Sequence, residues 1–300
     1  ARRIVELYPS LQPSWGKRML TMCHRLETEG NRISAAEGYA YIFQRGRELT
    51  EQAPEALERW IALRARDGSL TPELFPELPD GRAWSHPRLA SVRLLLARPE
   101  RFGPDDVEPW LGSPDGEHAI TSAMIAVAEH IRLEASAGDE LRKEHLKTVE
   151  SLLALAFRFS PSPGFYGENA PLGQQPRSRL EAALARATLY SAYPFLDPDG
   201  AKFTELEDGL ISGKNLAYGI RDPETIQRYH TVLGLIYADP SRNRWQEHSI
   251  RAAPYHLERA VFFAQNLADR DPAEFKPVPH LVSIHAEGML EVFARQRINS

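Results

Sequence analysis

The stretch that decides the fold is residues 224–238, which read ETIQRYHTVLGLIYA, together with residues 253–261, which read APYHLERAV. Apolar residues recur at three and four positions in the first stretch, and this spacing predicts an amphipathic helix. Gly234 would let a second helix approach closely, while Leu233 and Tyr237 would fill the seam between the two helices. The two stretches therefore predict a closely packed pair of antiparallel helices.

The second stretch has small, large and small side chains at Ala253, Leu257 and Ala260. With the Leu-Gly-x-x-Tyr pattern of the first stretch, this arrangement resembles a tetratricopeptide helix pair, closed here by Pro272. Such pairs bury a face by stacking on their neighbours, and they usually hold other proteins. The chain departs from the family pattern at residues 239–245, which form an insertion. Residues 34–65 and 178–220 resemble the family only as helical hairpins.

The resemblance implies a right-handed superhelix whose first helices line a concave surface. Family members that clamp a peptide carboxylate carry Asn where this chain has Val232, so that clamp is not expected. The polar insertion holds Arg and Trp, which are residue types of interface hot spots. The partner-binding residues that follow from the resemblance and from the insertion are Arg228, Thr231, Leu235, Arg242, Arg244 and Trp245.

The rest of the chain is punctuated by prolines, which mark helix ends because they remove a backbone hydrogen bond and clash with the preceding turn. Between the proline clusters apolar residues recur at helical spacing. Ser34 with Glu37, and Ser178 with Glu181, have the spacing of capping boxes. We expect an all-α protein of ten or eleven helices, arranged as stacked antiparallel hairpins.

The best domain boundary is the segment of residues 160–176, which is rich in proline and glycine. A loop of this length is uncommon inside a compact domain. It predicts N-terminal helical hairpins in residues 1–160 and tetratricopeptide-like helices in residues 176–300. One continuous array of helices is the alternative.

Bulk composition limits the classes of function. The net charge of −5 leaves no basic domain, so the electrostatic footprint of a nucleic-acid-binding protein is missing. No stretch is apolar enough to predict a membrane-spanning helix. The single cysteine, Cys23, excludes an intramolecular disulfide and a thiolate metal cluster. A cytoplasmic location fits slightly better than a periplasmic one, and the sequence does not decide between them.

Motifs that carry chemistry are sparse. Five histidines cluster in the C-terminal region: His230, His248, His256, His280 and His285. Their spacing does not predict a metal site, and the sequence contains no H-E-x-x-H motif. Cys23 falls at the apolar stripe of its helix and is expected to be a small core residue. We therefore predict no catalytic residue, no metal and no cofactor.

The leading hypothesis is a bacterial-type helical-repeat scaffold or adaptor that binds a protein or peptide in a concave groove. An all-α enzyme that uses C-terminal His and Glu residues is the first alternative, and convergence of several of those histidines would favour it. The second alternative is a structural subunit of a larger multi-subunit assembly.

Overall fold

The computed structural model describes residues 14–44, 52–71, 74, 87–134, 141–160, 177–199, 201–202, 206, 210, 223–238 and 252–263. The chain divides into two compact units, Ala1–Pro161 and Ser162–Ser300. Within the described ranges every regular element is helical and no strand occurs. The protein is therefore all-α, as the sequence predicts.

The described helices of the first unit are α1 (Ser14–Thr28), α2 (Arg32–Gln44), α3 (Ala53–Arg66), α4 (Pro87–Ala97), α5 (Pro104–Val107), α6 (Pro114–Glu134) and α7 (Leu141–Phe159). Along the chain α1 packs on α2, α2 on α3, α3 on α6, and α6 on α7. The shorter α4 packs on α6. The long helices thus form a run of neighbours, each resting on the next.

Two helices end close to a glycine with a positive φ angle, whereas the capping box predicted at Ser34 is not formed. Gly30 and Gly68 lie two residues beyond the last residues of α1 and α3 and adopt positive φ angles of 84° and 62°, a conformation that costs glycine little. The predicted capping box at Ser34 is wrong because α2 already begins at Arg32. The side chain of Asn31 accepts a hydrogen bond from the Ser34 backbone N–H at 3.4 Å, so the cap lies three residues earlier.

The core of the first unit is built on apolar stripes of α3 and α6. Its fully enclosed side chains include Tyr39, Ile42, Ile61, Trp110, Ile120, Met124, Leu146 and Leu152. Cys23 is also buried, as expected of a small core residue. It lies against Gly38 of α2, where an added Cβ would collide with the Cys23 Sγ atom. The α1–α2 contact therefore depends on a residue without a side chain.

Residues 98–113 connect α4 to α6. They contain two 3₁₀ turns, Pro99–Arg101 and Glu108–Trp110, on either side of α5. The Asp106 carboxylate accepts a hydrogen bond from the Gly103 backbone N–H at 2.9 Å and so caps α5. Short turns with prolines at their starts give this segment a defined backbone path.

The described helices of the second unit are α8 (Arg177–Ala192), α9 (Pro223–Ala238) and α10 (residues 252–263). The α8 and α9 helices pack on each other. The predicted capping box at Ser178 is wrong, because α8 begins at Arg177 and Ser178 is buried inside its first turn. The apolar face of α8 lies in the core: Leu180, Ala183, Leu184, Ala187 and Tyr190 are all buried.

Candidate functional site

The hairpin of α9 and α10 is held by a contact between Gly234 and Leu257. A Cβ at Gly234 would lie 2.7 Å from the Leu257 Cδ2 atom and 3.2 Å from its backbone nitrogen. Ala253, Leu257 and Ala260 are fully buried. The close approach that the sequence predicts at Gly234 is therefore present, and small residues on both helices permit it.

This hairpin brings two histidines together. The Nδ1 atom of His230 on α9 lies 2.9 Å from the Nδ1 atom of His256 on α10. His230 is fully buried, whereas His256 is half-buried. Without an ion between them, one Nδ1 must donate a proton and the other accept it, so the contact cannot form between two imidazolium rings.

Aromatic rings enclose the His230–His256 pair. The ring of Phe263 lies parallel to His230 with its centroid 6.2 Å away, and Tyr229 meets His230 edge-on at 5.4 Å. The Tyr229 hydroxyl donates a hydrogen bond to the Leu210 carbonyl at 3.0 Å. The ring of Tyr237 lies 5.6 Å from His256. These neighbours restrict how either imidazole can turn.

The outer face of α10 carries a row of exposed side chains that we call the α10 stripe: Tyr255, Arg259 and Phe262. Their spacing of four and three residues places them on one face of the helix. Tyr255 is 43% exposed and Phe262 is 51% exposed. The Arg259 guanidinium lies 5.8 Å from the centre of the Tyr255 ring. The stripe therefore presents two aromatic surfaces and one cation to solvent.

Of the partner-binding residues predicted on α9, Arg228 is half-buried. Thr231 is not on the surface: it is 5% exposed, which corrects its predicted place on an exposed face. Its hydroxyl donates to the Gln227 carbonyl at 3.0 Å and accepts from the Gln227 Nε2 atom at 3.1 Å. The Thr231 hydroxyl thus donates one hydrogen bond and accepts another within the helix.

The other predicted binding residues lie wholly or partly outside the described atoms. Leu235 belongs to α9, but its side chain is outside the described atoms. The insertion residues Arg242, Arg244 and Trp245 lie outside the described residues, as do His248, His280 and His285.

A second polar cluster, missed by sequence reasoning, lies inside the first unit. Glu58 of α3 forms an ion pair with Arg88 of α4, and the Ser113 hydroxyl donates to the same carboxylate at 3.3 Å. Burial raises the pKa of Glu58, and the Arg88 guanidinium opposes that rise. The Arg88 Nε atom also donates to the Pro109 carbonyl at 2.8 Å. This cluster ties residues 98–113 to two helices.

Trp110 belongs to the same cluster: the Arg88 guanidinium lies over its ring, 5.5 Å from the ring centre. The Trp110 indole N–H donates to the Ser91 hydroxyl at 3.1 Å, and that hydroxyl donates to the Asp106 carbonyl at 2.6 Å. Each of these bonds joins two groups of the protein itself. The cluster is therefore a structural clamp rather than a site presented to a ligand.

A further polar contact joins α1 to α2. The Tyr39 hydroxyl donates to the Glu27 carboxylate at 2.8 Å. Burial, followed by the nearby Glu27 charge, raises the pKa of Tyr39 above its ordinary value. The same two causes raise the pKa of the Cys23 thiol to about 11. Cys23 is thus a protonated, enclosed thiol near neutral pH, unlike the exposed thiolate of a nucleophile.

No group of three or more His, Cys, Asp or Glu side chains in the described ranges is arranged to hold a metal ion. No described helix is both long and apolar enough to cross a membrane.

Comparison with protein-family models finds no match to this chain. Comparisons with curated proteins and with solved structures find none either.

Proposed function

We propose that this chain is a helical scaffold that binds a protein or peptide partner. The observation that carries the proposal is the α10 stripe. Tyr, Phe and Arg are the types of residue that dominate binding energy at protein interfaces. On α10 they form one continuous exposed row, while the opposite face of the helix is locked against α9 through Leu257. A rigid helix that displays such a row loses little entropy when a partner binds.

The chemistry of the stripe indicates what the partner offers. Tyr255 and Phe262 would receive apolar side chains, and Arg259 would receive a carboxylate. The chain's net charge of −5 disfavours a polyanionic partner such as nucleic acid. A protein segment with apolar residues and one well-placed acidic residue fits these requirements.

The tetratricopeptide-like architecture is part of the same proposal. Its support is the Gly234–Leu257 contact and the small residues around it, together with the neighbour-to-neighbour packing of the long helices in the first unit. In this proposal a right-handed superhelix forms a concave groove lined by its first helices, and the α10 stripe is a contact surface on a second helix, outside that lining. Arg228, Leu235 and the insertion residues Arg242, Arg244 and Trp245 remain proposed groove contacts.

The test is a peptide selection against the purified full-length chain, followed by affinity measurements on variants. We expect selected peptides to bind at least tenfold more weakly to Arg259→Glu/Phe262→Ser than to the original chain. The matched control is Ile33→Ser/Leu133→Ser, which removes two exposed apolar side chains of the first unit. It should change the affinity less than twofold.

Two outcomes of that experiment would overturn the proposal. One is a selection that yields no specific binder. The other is a set of binders whose affinity is unaffected by the Arg259→Glu/Phe262→Ser substitutions. Circular dichroism of each variant shows that the helices are retained, so a loss of affinity reports the surface and not unfolding.

A second candidate function, an all-α enzyme, is favoured by the convergence of His230 and His256. A buried imidazole beside a half-exposed one could move a proton to or from a substrate. In this reading His256→Asn would abolish turnover of a hydrolysable ester or phosphoester while the exposed His145→Asn control would not. Equal turnover by both variants would reject it.

A further inference from the structure

We propose that the hydrogen bond between His230 and His256 is an acid-sensitive latch, which holds α10 on α9 at neutral pH and releases it when both imidazoles are protonated. The latch is a conformational device of the second unit. It does not rest on the partner-binding proposal, since its readout is the opening of the α9–α10 hairpin and not the binding of a partner.

The orientation of the two rings carries the inference. Their Nδ1 atoms lie 2.9 Å apart while their centroids lie 5.0 Å apart, so the two nitrogens face each other at the length of a normal hydrogen bond. A proton on one Nδ1 is shared with the lone pair of the other. A proton on each Nδ1 would bring two N–H groups and two positive charges to the same point. The intact contact therefore carries at most one positive charge.

The rings around the pair leave His230 little room to avoid that conflict. His230 is fully buried, and Phe263 stacks on it at an interplanar angle of 9°. Tyr229 and Tyr255 meet its ring edge-on, with centroids 5.4 Å and 6.1 Å away. To turn its Nδ1 towards water, the His230 ring would have to displace these neighbours. Movement of α10 away from α9 is then the way to separate two imidazolium rings.

The charged side chains described on the helices around the pair are mostly cations. They are Arg228 on α9, Glu258 and Arg259 on α10, and Arg179, Glu181 and Arg186 on α8. The Arg259 guanidinium lies 5.8 Å from the centre of the Tyr255 ring, which contacts both imidazoles. Tyr229, Tyr237 and Tyr255 face the pair as phenols, which carry no charge at acidic pH. Because a like charge disfavours protonation, the excess of cations opposes a second positive charge on the pair.

Proton counting gives the direction of the pH dependence. In the unfolded chain both imidazoles titrate near pH 6.5, so together they take up about 1.5 protons between pH 7 and pH 5. The closed pair never holds more than one added proton. The open state therefore binds more protons than the closed state, so the latch is closed at pH 7 and is lost as the pH falls. The population of the open hairpin should rise at least about fivefold from pH 7 to pH 5.

Burial of His230 alone is the competing explanation of acid sensitivity, because an apolar surrounding by itself disfavours a charged imidazole. The substitution His256→Asn separates the two explanations. The Asn side-chain amide takes the place of Nδ1, and its carbonyl oxygen can accept a hydrogen bond from a protonated His230. The hairpin of this variant should then tolerate acid, whereas burial of His230 is retained.

The experiment is amide hydrogen exchange of the full-length chain at pH 7 and pH 5, corrected for the intrinsic effect of pH on exchange. Protection of the α9 and α10 amides should fall at least about fivefold in the original chain. In His256→Asn the fall should be smaller by a factor of at least about three. The matched control is His145→Asn, which removes an exposed histidine of α7 and should lose as much protection as the original chain.

An equal loss of protection in the original chain and in His256→Asn overturns the proposal, as does unchanged protection of both helices. Circular dichroism at pH 7 verifies that the helices of each variant are retained. Nitrogen NMR of the histidine rings tests the bond in the original chain. At pH 7 we expect one ring of the pair to carry its proton on Nδ1 and the other on Nε2. If both rings carry it on Nε2, the bond is not formed and the proposal is overturned.

Discussion

The Glu58 carboxylate and the Arg88 guanidinium form an ion pair that the fold removes almost wholly from water. Their side chains are 5% and 15% exposed. Transfer of two charges out of water is costly unless each finds its partner and further hydrogen bonds. Here Ser113 and the Pro109 carbonyl supply those additional bonds. The pair therefore fixes the position of α4 on α3 more than it adds stability.

We predict that replacing one partner of the Glu58–Arg88 pair lowers the stability of the first unit far more than replacing both partners with apolar residues. Glu58→Gln or Arg88→Met should each lower the free energy of unfolding of the first unit by about 3–5 kcal/mol, because a buried group loses its partner. The double variant Glu58→Leu/Arg88→Met should cost much less than the sum of the single ones. Urea denaturation followed by circular dichroism measures each value.

The control for the ion-pair prediction is the exposed pair of Arg25 and Glu29, whose side chains are 79% and 53% exposed. Arg25→Met should leave the urea midpoint almost unchanged, because an exposed ion pair contributes little to stability. If Glu58→Gln costs no more than Arg25→Met, the buried pair does not have the role described.

The helices were predictable from sequence because local periodicity encodes them. In α3 the apolar residues Leu57, Trp60 and Ile61 recur at helical spacing, and all are buried. Glu58 interrupts that face, yet a single sequence gives no reason to pair it with Arg88, since 30 positions separate them. The pairing depends on how α4 folds back, and that path is set by tertiary packing.

The candidate site shows the same limit. The close approach of α10 to α9 at Gly234 could be predicted from the local spacing of small residues. The approach of His230 to His256 could not, because it depends on the rotation of α10 about its axis. The spacing of Tyr255, Arg259 and Phe262 was readable as one helix face, but burial of that face was equally compatible with the pattern.

We predict that Gly38→Ala destabilises the first unit by about 1–3 kcal/mol, because overpacking forces neighbours to shift. The added Cβ would collide with the Cys23 Sγ atom. In the background of Cys23→Ala that collision is removed, and Gly38→Ala should become neutral or stabilising by up to about 1 kcal/mol from its higher helix propensity. Thermal or urea unfolding of the four proteins gives the coupling. Additive effects would show that the two residues do not meet.

We predict that the stability of the first unit falls at alkaline pH. Burial raises the pKa of Cys23 from 9.0 to about 11, so the folded state holds this proton more tightly than the unfolded state. The contribution is complete below pH 9 and is lost as the pH rises through 11, by up to about 3 kcal/mol. Burial also raises the pKa of Tyr39, so Tyr39 contributes to the loss of stability in the same direction.

The measurement for the alkaline prediction is the urea midpoint at pH 8, 9, 10 and 11. Cys23→Ala loses stability simply by removing buried atoms, so the slope against pH is compared and not the absolute value. That variant should show a flatter decline. An identical slope in both proteins would show that Cys23 does not cause the decline.

We predict that Gly234→Ala destabilises the α9–α10 hairpin by about 1–3 kcal/mol. In an unobstructed helix this substitution stabilises by up to about 1 kcal/mol, so the sign of the change is diagnostic. Here the new Cβ would lie 2.8 Å from the Leu257 Cγ atom. Gly234→Val should cost more than Gly234→Ala. A stabilising effect of Gly234→Ala in thermal unfolding would mean that the helices do not approach as closely as described.

The order in which the long helices of the first unit touch has a consequence for folding. The α1–α2, α2–α3 and α6–α7 contacts join helices that are adjacent along the chain, so they close small loops and can form early. The α3–α6 contact instead spans residues 67–113 and carries the largest loop-closure entropy. Because the bond from Glu58 to Arg88 anchors α4 inside that span, it shortens the chain still to be closed. Docking of α4 on α3 therefore lowers the entropy cost of forming the α3–α6 contact.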